Sequence, residues 1–186
     1  MDNAPLGCIR LDAIAMTTKW AIAHALAAAL VGAGATAVVD LWALLLKHAF
    51  SIPSLSYCLL GRWLRHMLEG TFTHPGIAAA PQRRLECTAG WIAHYVIGVV
   101  FALAFVALGP NGWLSRPTLL PALSFGIATV LIPFLVMQPA FGLGIAASRT
   151  PKPLQARLKS IVTHAVFGIG LYASAVGMNH VLRLHV

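Results

Sequence analysis

Acidic side chains are scarce in this sequence. Only five of its 186 residues are Asp or Glu, and charged residues of both signs make up 10%. A soluble domain has about 25% charged and about 45–50% apolar residues. This chain is 59% hydrophobic with a mean hydropathy of +0.80. No soluble fold of this size could bury so much apolar surface behind a polar exterior. The same figures exclude disorder, collagen and coiled coil. Cysteine is rare too. Cys8, Cys58 and Cys87 show no Cys-x-x-Cys spacing, which excludes a disulfide scaffold and reads as three ordinary thiols. No Gly-x-Ser-x-Gly, His-Glu-x-x-His or Walker pattern occurs. The chain therefore leans away from standard hydrolase or nucleotide chemistry, and away from an enzyme.

What the chain has in quantity is long apolar runs. An all-α, polytopic membrane protein follows, with spans at about residues 20–46, 91–108, 119–137 and 161–182. Residues 1–19 read as an N-terminal extension, and 20–182 as a single four-helix transmembrane domain. The alternative for the first run is a cleaved signal peptide, since Lys19 precedes it and Gly32, Ala33, Gly34 and Ala35 follow. A signal h-region has only about 7–15 residues, and this run continues through Val38, Val39, Leu41 and Leu44 to Leu46. In the third run, Pro121 suits a first helical turn and Pro133 should kink the helix. Gln138-Pro139 should close it.

Thirteen Lys and Arg give a net charge of +8. In a soluble protein this would suggest nucleic acid; in an apolar chain it points to anionic lipid, so the expected partner is the bilayer and not nucleic acid. Nine of the thirteen fall in the two long loops: Lys47, Arg62, Arg65, Arg83 and Arg84 in the first, Arg149, Lys152, Arg157 and Lys159 in the second. Basic residues collect on the cytoplasmic side. Both long loops are thus expected in the cytoplasm of a bacterial inner membrane, and both termini in the periplasm. Trp20 and Trp113 would then sit at the outer interface and Trp91 at the inner one. The first loop should hold an amphipathic helix, capped by Ser54 and running to about Leu68, with Tyr57, Leu60, Leu64 and Met67 as its apolar stripe. It could lie on the leaflet or pack on the bundle as a lid. The second loop could be re-entrant at its start.

A short repeat is visible. His94-Tyr95-Val96-Ile97-Gly98 and His164-Ala165-Val166-Phe167-Gly168 share a pattern, and Ala35-Thr36 and Ala128-Thr129 precede them. This suggests a 2+2 duplication of a helical hairpin, with a pseudo-two-fold axis along the membrane normal.

Ionisable residues inside a span are costly and usually face the bundle with a partner. Asp40 lies seven residues from Lys47, roughly 10 Å deep by helix rise. His94, His164 and Gln138 fall within a few ångströms of that depth, while His24 lies near the opposite interface. Gly32, Thr36 and Asp40 recur every four residues, as do Gly90, His94 and Gly98, and small residues at that interval let helices approach closely. Asp40, His94, Gln138 and His164 therefore form a candidate polar cluster. It could handle a proton, an ion or a small solute. Two His and one carboxylate (His94, His164, Asp40) could instead hold a metal, or the two His a haem. It could also be a hydrogen-bond cluster that fixes helix register in an accessory subunit. The cofactor is left open, and so is a homodimer. In the loops, His66, His74 and Arg149, with Glu69 and Glu86, are candidates to complete a site or are solvated interfacial residues.

Gly34-Ala35-Thr36-Ala37-Val38-Val39-Asp40-Leu41-Trp42, Gly61-Arg62-Trp63, Gly90-Trp91-Ile92-Ala93-His94-Tyr95, Met137-Gln138-Pro139, Ala146-Ala147-Ser148-Arg149-Thr150-Pro151, and Thr163-His164 with Phe167-Gly168 together resemble a bacterial family of small integral membrane proteins, the domain of unknown function numbered 2938. The likeness runs from about Val31 to about Tyr172. It implies a bacterial inner-membrane protein and brings no activity with it. Its motif positions coincide with Asp40, His94, Gln138 and His164.

Overall fold

The computed structural model describes residues 6–54 and 56–184, with side chains over 18–54 and 56–182. Of the expected N-terminal extension, residues 1–5 and the side chains of Cys8 and Arg10 lie outside the described residues. Every regular element among the described residues is helical: α1 Leu6–Phe50, α2 Tyr57–Met67, α3 Glu86–Leu108, α4 Leu119–Ala128, a π-helical turn Pro133–Met137, a short α5 Gln138–Ala140, and α6 Pro153–Leu184, with single 3-10 turns at Ile77–Ala79 and Ile145–Ala147. Four segments are long and apolar enough to cross a membrane: Thr18–Phe50, Glu86–Leu108, Leu119–Ala140 and Pro153–Leu182.

Side-chain size decides which face of each span meets protein. Large apolar residues such as Leu26, Leu30, Leu131 and Leu135 are exposed, while Ala28, Ala35, Ala102, Ala122 and Ala175 are buried. Large side chains outside and small ones inside is the pattern of helices packed in lipid. A Cβ on Gly32 would lie 2.8 Å from the Gly98 carbonyl, and one on Gly126 would lie 2.6 Å from the Gly168 Cα. Those two glycine pairs set the separation of α1 from α3 and of α4 from α6. Helix α6 also packs on α1, with Gly170 against Ala35. At the end away from the long loops, Phe105 meets Trp113 edge-on at 4.7 Å. Asn179 reaches across to donate to the Leu114 carbonyl. Trp113 is buried there and donates to the Thr118 carbonyl, so it packs against the end of the core.

Three expected boundaries move. Helix α6 starts at Pro153, two turns before the apolar run, because proline suits a first helical turn and that turn need not be apolar. Helix α2 starts after Ser56, with no side-chain cap, and not at Ser54. The third span is more broken than a kink at Pro133. Its first α-helix ends at Ala128, residues 129–130 form a turn, and the helix re-entered at Leu131 widens to a π turn at Pro133. Proline has no N–H to give to the Thr129 carbonyl; the Ile132 N–H takes that carbonyl instead, at 3.1 Å.

Helix α2 docks on α3. Its buried residues are Leu60, Gly61, Arg62 and His66, so Leu60 of the expected apolar stripe is buried together with two of the residues expected to be polar surface, while Arg65 stays exposed. The contact is backbone on backbone. A Cβ on Gly61 would fall 1.7 Å from the Glu86 carbonyl, and one on Gly90 would fall 1.8 Å from the Tyr57 carbonyl. Beside them Cys58 and Cys87 are joined in a disulfide. The reading of these two as separate thiols is therefore corrected: each cysteine sits three residues before one of the paired glycines, and the glycine contact brings them together.

Candidate functional site

Helix α1 carries Asp40 to the loop-side half of the bundle. Its carboxylate accepts three hydrogen bonds: from Tyr57 Oη at 3.1 Å, His94 Nε2 at 3.0 Å and Tyr95 Oη at 2.9 Å. Helix α3 thus supplies two donors from consecutive residues, and docked α2 supplies the third. The Tyr57 ring stacks on His94 at 4.0 Å and meets Trp91 edge-on at 4.7 Å. Burial, and then the neighbouring carboxylate, push the Tyr57 hydroxyl well above its ordinary range, so it stays protonated and keeps donating. Asp40 and His94 were legible in the sequence. The two tyrosines were not, although Tyr95 directly follows His94.

His164 does not join that group. Its Nδ1 lies 2.7 Å from Thr129 Oγ1, whose hydroxyl donates to the Gly126 carbonyl at 2.6 Å. A hydroxyl has one proton, so the ring donates through Nδ1 and Nε2 is left as an acceptor. Gln138 is buried and gives its amide N–H to Ser160 Oγ at 3.4 Å. Its Oε1 has no partner. Asp40, His94 and His164 are thus not brought together as one ligand set. Among the described residues no group of three or more His, Cys, Asp or Glu converges as a metal centre would require.

A cavity joins what hydrogen bonds do not. About 530 Å³ in volume, it lies between the four spans and under α2, within the usual size of a small-molecule site. His94, His164, Gln138 and Tyr57 all line it, with Thr36 and Thr163. Most of the remaining wall is apolar, from Phe101, Val136 and Phe167 among others. Trp42 also lines it, and its indole N–H is buried without a partner. The π turn supplies Pro133, Val136 and Met137, an irregularity often found at functional sites. An unpaired acceptor on Gln138 and an unpaired donor on Trp42 give the walls hydrogen-bonding capacity that the protein does not use.

The loop candidates fall elsewhere. Arg62 grips Glu86 through two hydrogen bonds of 2.9 and 2.8 Å and donates to the carbonyls of Ile77, Ala78 and Ala80. Glu86 also accepts from the Arg83 backbone N–H. The pair is buried and fully engaged, and it shapes the loop. Glu69 pairs with Arg83 at the surface. His66 contacts the Pro81 carbonyl at 3.0 Å and packs edge-on against His74 at 4.9 Å. Both ring nitrogens of His74 are buried without a partner. Burial, and then His66, push its pKa down. Arg149 is exposed. At the opposite end, His24 contacts the Trp20 carbonyl.

The chain belongs to the family described as "Protein of unknown function (DUF2938)", whose sequence model matches residues 29–178. That stretch contains the cavity and all the residues around Asp40. Comparison with curated proteins and with solved structures gave no match.

Proposed function

We propose that this is a multi-pass protein of the bacterial inner membrane that takes a small solute into its loop-side cavity. The cavity itself carries the reading: four spans and α2 line a partly open hollow of about 530 Å³, and Trp42 and Gln138 on its wall keep a buried donor and a buried acceptor with no protein partner. His94, His164, Gln138 and Tyr57 are the contacting residues. Asp40 acts through Tyr57 and His94, holding both rings in place, because its oxygens already serve three donors. That full shell speaks against Asp40 as a shuttle for protons, since it would have to surrender these bonds in each cycle.

The test is accessibility. In a background without the native cysteines, Thr163→Cys in membrane vesicles should react with a small methanethiosulfonate reagent. Filling the cavity with Ala43→Trp should slow that reaction at least severalfold. Reaction no faster than at lipid-facing Leu131→Cys, or indifference to Ala43→Trp, would overturn the reading.

The long loops are assigned to the cytoplasm on their nine basic residues. A disulfide is at home in an oxidising compartment, and Cys58–Cys87 alone would argue for the other side. We weigh the nine basic residues above it, because the Gly61–Gly90 contact, and not the bridge alone, brings α2 onto α3.

A further inference from the structure

A second hollow adjoins the cavity. It is an open groove of about 930 Å³ on the outer face of the bundle, between the end of α1 and the start of α6. Leu46, Ile52, Leu154, Leu158 and Val162 make it apolar. Trp42, Pro53, Ala156 and Lys159 line both groove and cavity, so these four residues form the partition between them. Lys159 closes it by donating its Nζ to the Pro53 carbonyl, which ties α6 to the irregular segment before α2. The second hydrogen-bonding group of the partition is the unpaired Trp42 indole N–H.

Charge selects the ligand. Among the described residues no Asp or Glu lines either hollow; Lys152 lines the outer groove, and Lys159 is the one lysine or arginine on the cavity wall. Among the described residues it has no carboxylate partner, since the ion pairs there are made by Arg62, Arg83 and His94. An ammonium beside a spare N–H suits a single anionic group such as a carboxylate. The largely apolar walls suit a hydrocarbon tail, and the cavity has room for one chain.

We propose that the solute is a fatty acid, which enters sideways from the bilayer through the α1–α6 groove, lays its chain in the cavity and pairs its carboxylate with Lys159 and the Trp42 N–H. This rests on the reading of the cavity as a solute site. Entry exchanges the Pro53 carbonyl for a carboxylate, so the ammonium is never left without an acceptor and gains a charge partner.

The full chain in phosphatidylcholine nanodiscs should bind cis-parinaric acid saturably, above the level of empty nanodiscs. Myristic acid should displace the probe, and myristyl alcohol should do so far less well. Lys159→Met should weaken binding about ten- to a hundredfold, the size of a lost charged hydrogen bond, while Lys159→Arg should keep most of it. Equal displacement by the alcohol, which needs no variant, or unchanged affinity in a folded Lys159→Met protein would overturn the proposal. Absence of saturable binding would overturn it too. If Thr163→Cys still reacts and is still slowed by Ala43→Trp, only the fatty acid is lost; if it does not, the cavity reading falls with it.

Discussion

At the scale of single residues, partners outside the local pattern decide what each polar group does. Asp40 and His94 both follow a spacing of four from small residues, and that periodicity was enough to set them face to face. Tyr57 was out of reach of such reasoning, because it arrives on a helix docked from the loop. His164 shows the converse: the same small-residue spacing, but a partner, Thr129, on its own hairpin. His74 is a different case, a buried imidazole with neither nitrogen bonded. Its pKa is depressed in the folded protein, so the ring stays neutral there while an unfolded loop takes up a proton below about pH 6.5. The sign follows: stability contributed by this region falls as pH drops from about 6.5 toward the folded pKa. Trp63, stacked edge-on against Phe141, reports on the same region. Its thermal transition should shift down between pH 7.5 and 5.5 in the wild type. His74→Phe should flatten that shift and leave stability at neutral pH unchanged or improved, since two unpaired buried nitrogens are removed.

At the scale of elements, the four spans were legible because length and hydropathy report them directly. Their ends were not, because Lys152 just before α6 and Gln155 and Lys159 in its first turns stand at the rim of a groove and break the apolar run. Nor did Pro133 by itself foretell how the third span is interrupted. The helix already stops at Ala128, where Thr129 turns its hydroxyl to Gly126 and His164. Restoring the missing N–H with Pro133→Ala should let the helix continue through the π turn, at a gain of up to about 3 kcal/mol in helix stability. The cavity should shrink as Val136 and Met137 rotate. Faster recovery after detergent unfolding together with slower labelling of Thr163→Cys would match that outcome; a gain in stability with unchanged labelling would mean that the π turn does not shape the cavity. The Cys58–Cys87 pair had a signal in the sequence that Cys-x-x-Cys spacing hides: each cysteine is followed three residues later by the glycine that lets α2 and α3 touch.

At the scale of the whole molecule, the charge that composition counts as sparse lies largely at one end. Three of the five acids have partners at that end: Asp40 beneath α2, Glu86 in the grip of Arg62 and Glu69 on Arg83; Asp2 and the side chain of Asp12 lie outside the described residues. If basic residues orient the chain as proposed, a green fluorescent protein fused after Val186 should stay dark and alkaline phosphatase in the same place should be active. The Cys58–Cys87 bridge would then lie in a reducing compartment, so a maleimide added at lysis should label a fraction of both cysteines, and mild oxidation should abolish that labelling. A bright C-terminal fluorescent fusion would reverse the orientation and make the disulfide the resident state.

The shell around Asp40 also dictates an order of manufacture. All three of its donors follow it in the chain, the last of them on α3. When α1 leaves the ribosome its carboxylate has none of them, and an acid held within a span costs up to about 3.5 kcal/mol on insertion. Some sixty residues must be added before α3 is complete, roughly 3–12 s at the usual rate of synthesis. Helix α1 is therefore stable in the lipid only as one arm of a hairpin, and the insertion machinery must shelter it until the other arm arrives.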